Sequence, residues 1–158
     1  MPTSRPDLAV LRGRVGAGAA LTAWERFDQA AVDAYGRLTG ETLWVHSDPA
    51  RAAASGFGGT IVQSSLLMAR FGAWIQAVGL WLPEPATPLN YGYDRVRIPG
   101  ALRVGEAVRG RVSLASMPES RAGMIRLELD VVAERDTEAR PVLAARWLVA
   151  FICPDEKE

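Results

Sequence analysis

The run Ile61-Val62-Gln63-Ser64-Ser65-Leu66-Leu67-Met68-Ala69-Arg70-Phe71-Gly72-Ala73-Trp74-Ile75-Gln76-Ala77-Val78-Gly79 decides the fold. It is apolar on nearly all sides of a helical wheel and rich in small residues, namely Ala69, Gly72, Ala73 and Ala77. A helix lying on a surface keeps a polar face for water, so a helix without one is enclosed by its fold. The spacing predicts a buried helix over 61–79, and the rest of the chain must wrap it. Gln63, Ser64, Ser65, Arg70 and Gln76 are too many polar groups for a lipid-facing span, so the same run excludes a membrane protein.

The wrapper lies downstream. Leu89 to Arg97, Ala107 to Ser116, Arg121 to Glu134 and Pro141 to Ile152 each have strand character. The third is clearest, with Ile125, Leu127 and Leu129 alternating with Arg126, Glu128 and Asp130. Pro99-Gly100, Met117-Pro118-Glu119-Ser120 and Arg135 to Arg140 supply the turns between them. Upstream, Ala20 to Phe27 reads as a strand. Asp28 then caps a helix through Leu38 with Ala31, Val32 and Tyr35 on one face, and Gly40 stops it. A short helix is expected over Asp48 to Ala54. One strand, helices, a buried helix and four antiparallel strands describe an α+β fold, a curved antiparallel sheet rolled round a long central helix. Residues 1–19 are expected to form a loosely ordered arm, and 20–158 a single domain.

A chain of 158 residues suits one domain, which buries roughly 70% of the surface its unfolded form exposes. Lys plus Arg equal Asp plus Glu at 18 each, so there is no basic excess of the kind nucleic-acid binders carry. The opening Met-Pro-Thr-Ser-Arg-Pro-Asp lacks the apolar core of a secretory signal, and a cytoplasmic location is expected. Cys153 is the sole cysteine, which excludes an internal disulfide and a cysteine-based metal site, and reads as an inert strand residue.

His46, the only histidine, follows Glu41 by five residues in Thr39-Gly40-Glu41-Thr42-Leu43-Trp44-Val45-His46-Ser47-Asp48-Pro49. A glycine turn, Phe57-Gly58-Gly59-Thr60, then leads into the apolar helix. An acid and an imidazole make a proton-transfer pair, and a helix start offers backbone donors, which together are parts for chemistry on a carbonyl. Two accounts of the helix start stand side by side. Thr60 and Gln63 have the spacing of a capping box, and a helix beginning at Thr60 would tie the Ser64 amide to the Thr60 carbonyl. A start about three residues later would leave that amide free to serve as an oxyanion donor. Gly58 and Gly59 either turn the chain or admit a substrate close to the backbone. Arg95 and Arg97, two apart on one strand, are candidates for phosphate contact.

Thr39-Gly40-Glu41, Trp44 to Pro49, Phe57-Gly58-Gly59-Thr60-Ile61, Asn90-Tyr91-Gly92 and Val96-Arg97-Ile98-Pro99 resemble the MaoC-like, R-specific enoyl-CoA hydratase and dehydratase family of hotdog folds, and more narrowly its NodN-like branch. The resemblance covers roughly Phe27 to Pro99. It implies a hotdog domain that forms a homodimer and acts on 2-enoyl or 3-hydroxyacyl thioesters. Carried over by position, the histidine is His46, the carboxylate is Glu41 where the family has aspartate, and the polarising amide is Ser64. Leu43 stands where a polar Asn or Gln is usual, Gln63-Ser64 replaces His-Gly, and Ala69 replaces a serine that contacts the carboxylate. The resemblance makes Ser64, Gly59, Gln63 and Leu43 the substrate-binding candidates beside the catalytic pair. It implies no metal and no cofactor, coenzyme A or phosphopantetheine entering only as part of the substrate. Two other functions fit the altered positions: isomerisation, cyclisation or dehydration of a biosynthetic intermediate, and a non-catalytic acyl-binding subunit.

Overall fold

The computed structural model describes residues 8–153. Its elements in chain order are α1 (Leu8–Gly13), β1 (Ala20–Leu21), β2 (Glu25–Arg26), α2 (Gln29–Thr39), α3 (Trp44–Ser47) and α4 (Pro49–Ala53), then α5 (Ser64–Ala69), α6 (Phe71–Ala77), β3 (Thr87–Arg97), β4 (Ala107–Ser116), β5 (Met124–Arg135) and β6 (Leu143–Ile152). The strands form one antiparallel sheet in the order β1-β4-β5-β6-β3, with β2 also on β4. The expected curved sheet on a central helix is thus present, and the four downstream strands fall within three residues of their predicted bounds.

Alternation builds the core. Leu127, Leu129, Val131 and Ala133 of β5, with Leu143, Ala145, Trp147 and Val149 of β6, are all buried, and they meet Leu67, Phe71, Trp74 and Ile75 of the central helix. Asp28 caps α2 as expected, its Oδ1 accepting from the Ala31 amide at 2.8 Å, and Gly40 closes it at φ 77°. Asp48 likewise caps α4 through the Arg51 amide. Of the arm expected to be loose, residues 8–13 are helical and Leu11 is 5% exposed; residues 1–7 lie outside the described residues. The expected strand over 20–27 is two short pieces, both paired to β4. Cys153 follows β6 half-buried, its amide bonded to the Gly123 carbonyl.

The central helix departs from expectation in three ways. It begins at Ser64 rather than Ile61, because Ile61 and Val62 are held extended: the Ile61 amide donates to the Val45 carbonyl at 2.9 Å and the Val62 amide to Leu102 at 2.8 Å. It is broken at Arg70, whose amide reaches back only three residues to Leu67. At that joint Glu25 takes both Arg70, at 2.9–3.3 Å, and the Trp74 indole N–H, at 2.6 Å. It is also not enclosed on all sides, since Ser65, Ala69, Ala73, Gln76 and Ala77 are exposed. Spacing alone could not reveal this face, because alanine is compatible with burial and with exposure.

Trp74 lies against Gly110 of β4, where a Cβ would stand 2.6 Å from the indole ring. With the indole N–H anchored on Glu25, the ring has little room to retreat. Gly110→Ala is therefore expected to cost about 1–3 kcal/mol of stability, read as a lower denaturation midpoint at unchanged slope.

Candidate active site

Gly40 turns the chain out of α2, so that Glu41 begins a short connection into α3, and one helical turn there carries His46 back toward it. The His46 amide bonds to the Leu43 carbonyl at 2.9 Å, and Ser47 Oγ donates to the carbonyls of Thr42 and Leu43. His46 Nε2 then stands 3.5 Å from Glu41 Oε1. That separation exceeds a direct hydrogen bond of ordinary length, and suits two groups that share a third. The His46 side chain is 9% exposed, while the Glu41 side chain is 40% exposed.

The ring is oriented from behind. His46 Nδ1 is 2.7 Å from the Ile61 carbonyl. A carbonyl only accepts, so Nδ1 carries the hydrogen and the neutral ring presents its lone pair at Nε2, toward Glu41. Glu41 is held in turn by Ser65, whose Oγ donates to Oε2 at 3.4 Å. Ser65 lies one helical turn before Ala69, the position at which the resemblance placed a serine. Gln29 binds the parts together: its Nε2 donates to the His46 carbonyl at 2.6 Å and to Asp33, and its Oε1 accepts from Thr60 Oγ1 at 2.6 Å. Neither Ser65 nor Gln29 was singled out from the sequence. Gln29 acts across 17 and 31 residues, beyond the range of any local signal.

Glu41, His46 and Gln63 line one cavity of about 140 Å³, together with Gly36, Val32 and Arg37. Gln63 is 1% exposed and donates from Nε2 to the Val32 carbonyl at 3.1 Å. Thr60 and Gln63 thus spend their side chains on α2, and the capping box does not form; residue 63 caps α5 without a side-chain bond. The Thr60 carbonyl accepts from the Val104 amide at 2.8 Å, not from Ser64. Among the described residues the Ser64 amide, at the first position of α5, has no acceptor in the protein. Ser64 does not itself line the cavity, but its chain neighbours Gln63 and Ser65 both reach the site.

Two further candidates fall elsewhere. Leu43 is 61% exposed and lines no part of this cavity. Gly59 lies with Gly58, Arg103 and Glu106 on a separate cleft of about 640 Å³, whose charges pair with one another: Arg103 with Glu106 at 2.7 Å and Arg26 with Asp136 at 3.8 Å. Burial of Glu106 opposes its ionisation, yet the Arg103 amide and guanidinium more than offset this and hold its carboxyl below the ordinary range. Gly58 has φ 69°, a turn requirement that accounts for at least one of the two glycines. A bulge between Asp94 and Arg97, with Arg95 at φ 54°, interrupts the alternation on which a shared face for Arg95 and Arg97 depended. Among the described residues no group of three or more His, Cys, Asp or Glu side chains is placed to hold a metal ion, and no helix is long and apolar enough to cross a membrane.

An antiparallel sheet on a central helix, with an acid and an imidazole at the helix start, defines a class of small α+β domains before any relative is considered. The MaoC like domain family matches residues 12–136. Nodulation protein N of Rhizobium leguminosarum bv. viciae is 33% identical over 143 residues, covering 90% of this chain and 89% of that protein. The 3-hydroxyacyl-thioester dehydratase Z of Mycobacterium tuberculosis (strain ATCC 25618 / H37Rv) is 28% identical over 146 residues, 92% of this chain and 96% of that one. Among solved structures, the (R)-hydratase from A. caviae involved in PHA biosynthesis superposes with a TM-score of 0.64 at 21% identity, covering 87% of this chain and 96% of that one, which speaks for the fold. The chain belongs to the MaoC-like hydratase/dehydratase family of hotdog folds.

Gly36 sets the reach of Glu41 to the rest of the site. A Cβ there would stand 2.8 Å from the Glu41 carbonyl oxygen and 3.4 Å from Gln63 Nε2. Gly36→Ala is expected to lower stability by about 1–3 kcal/mol in denaturant titration, because a backbone atom cannot step aside as a flexible side chain can.

Proposed function

We propose that this chain hydrates 2-enoyl thioesters and dehydrates 3-hydroxyacyl thioesters, carried on coenzyme A or a carrier protein. The observation that supports the reading best is the facing of His46 Nε2 and Glu41 Oε1 at 3.5 Å in one cavity, with the ring's other nitrogen engaged by the Ile61 carbonyl. A neutral imidazole so oriented is a base toward anything held between the two side chains.

In the hydration direction, Glu41 and His46 hold a water. His46 takes one of its protons as the oxygen bonds to C3, and the double-bond electrons move through C2 toward the thioester oxygen. The Ser64 amide is the donor available to that developing negative charge. The imidazolium then returns a proton to C2, so that water has been added and the enzyme is unchanged. Dehydration runs the same steps backward. Glu41 is one methylene longer than the aspartate of the family pattern, and Ser65 meets it from one turn earlier on the helix than Ala69, so the acid is held by a different hydroxyl.

The reading includes a cytoplasmic homodimer without metal or redox cofactor. The dimer is supported by the exposed face of α5 and α6 and by β3, an edge strand that displays Leu89 and Tyr91 at 46% and 55% exposure. The relative named a 3-hydroxyacyl-thioester dehydratase lends the substrate class.

Turnover of enoyl-CoA thioesters of several chain lengths, followed by loss of the enoyl absorbance, tests the proposal. His46→Ala is expected to lower kcat/KM by about 10²–10⁴-fold, and Glu41→Gln to lower it without abolishing binding. Turnover indifferent to His46→Ala would overturn the mechanism. Tight thioester binding with no turnover by the native chain would show a binding subunit in place of an enzyme.

A further inference from the structure

Gln63 Oε1 is buried and has no hydrogen-bond donor in the protein. The other end of the same amide shows why its orientation is determined. Nε2 lies 3.1 Å from the Val32 carbonyl, which only accepts, so the nitrogen must be on that side and the oxygen on the other. Gly36 reinforces the arrangement, since the absence of a Cβ there lets α2 come close to Nε2. The result is an acceptor-only atom on a residue that lines the cavity of His46 and Glu41. Buried polar atoms are almost always partnered, and an orphan of this kind calls for a partner that the protein itself does not supply.

No neighbour provides it. Glu41 and Asp33 offer acceptors, Ser47 gives its hydroxyl hydrogen to backbone carbonyls, and neither Arg37 nor Thr42, the other polar side chains of the cavity, bonds to Oε1. A cavity of about 140 Å³ has ample room for a guest donor, a water needing only ~10–15 Å³ of such space.

We propose that Gln63 Oε1 accepts a hydrogen bond from the hydroxyl group at the reacting carbon, namely the 3-hydroxyl of a 3-hydroxyacyl thioester or, in the reverse direction, the water that becomes it. The proposal rests on the reading above and makes Gln63 a specificity-determining residue within it. A departing hydroxyl must offer a lone pair to the acid that protonates it while its own hydrogen points elsewhere. His46 is the acid, and the Glu41 carboxylate and Gln63 Oε1, both acceptors, hold that hydrogen between them and fix the rotation about the C–O bond. An attacking water has the same need: one hydrogen goes to the imidazole, the other is shared by Glu41 and Gln63, and a lone pair is left for C3. Where the family pattern has histidine at this position, the amide of Gln63 keeps both a donor, used on Val32, and an acceptor for the guest.

The test separates binding from turnover by using two unreactive ligands, the 3-hydroxybutyl thioether and the butyl thioether of coenzyme A. Neither has the carbonyl that elimination requires. Titration calorimetry of the native chain is expected to show the hydroxylated ligand bound about five- to tenfold more tightly, the effect of one hydrogen bond to a buried acceptor. In Gln63→Met the preference is expected to vanish while affinity for the butyl thioether stays. Equal affinity of the native chain for both ligands, failure of both to bind, or a preference that survives Gln63→Met would each overturn the proposal. Should Gln63→Met fail to fold by circular dichroism, a crystal structure of the native chain with the hydroxylated ligand decides. A ligand hydroxyl at about 2.7–3.2 Å from Oε1 supports the proposal, and a hydroxyl bonded elsewhere overturns it. A Gln63-dependent preference in a chain that turns over no thioester would refute the enzymatic reading and leave the hydroxyl acceptor standing. Turnover without any hydroxyl preference would do the reverse.

Discussion

Three main-chain hydrogen bonds keep residues 60–62 from joining the helix that follows them, and the site depends on that restraint. Ile61 donates to Val45, Val62 donates to Leu102, and Val104 donates to Thr60, so the segment runs extended between α3 and the 102–104 strip. Because Thr60 has given its carbonyl to Val104, the first turn of α5 keeps an uncommitted amide at Ser64. Because Ile61 faces α3, its carbonyl is free to orient His46. A helix begun three residues earlier would have consumed both groups internally.

The packing around the helix explains how such a short piece is held. Leu67, Phe71, Trp74 and Ile75 carry its apolar load into the sheet, while Glu25 on β2 ties down the polar joint at Arg70. β4 leaves space for Trp74 with a glycine, and Arg109 and Arg111 hold Glu134 across the β4–β5 pair. Helix, strand and joint therefore depend on one another, and the site rests on a core packed on both sides of Arg70.

Much of this was legible in the chain, because the legible parts act locally. Period-two alternation located β5, Asp28 and Gly40 bounded α2, and the five-residue spacing of Glu41 and His46 anticipated their meeting. What escaped depends on distant partners. The helix start follows from main-chain partners at 45 and 102–104, and Gln29 works through atoms 17 and 31 residues away. Of the two accounts of the helix start, the capping box at Thr60 and Gln63 fails for the same reason, since both side chains bond to residues of α2. Ser65 was hidden by the nearby Ala69, whose lost hydroxyl drew attention to the wrong turn of the same helix face. Leu43, beside the site in sequence, faces water.

The unequal exposure of the Glu41 and His46 side chains, 40% against 9%, has a directional consequence. The carboxylate is the wet end of the couple and the imidazole the dry end. Any hydrogen ion exchanged between bulk water and the ring has its readiest passage past the carboxylate, which makes residue 41 a doorway to the imidazole. Lengthening that side chain by one carbon, relative to the family's aspartate, therefore moves the threshold between solvent and interior as well as a functional group.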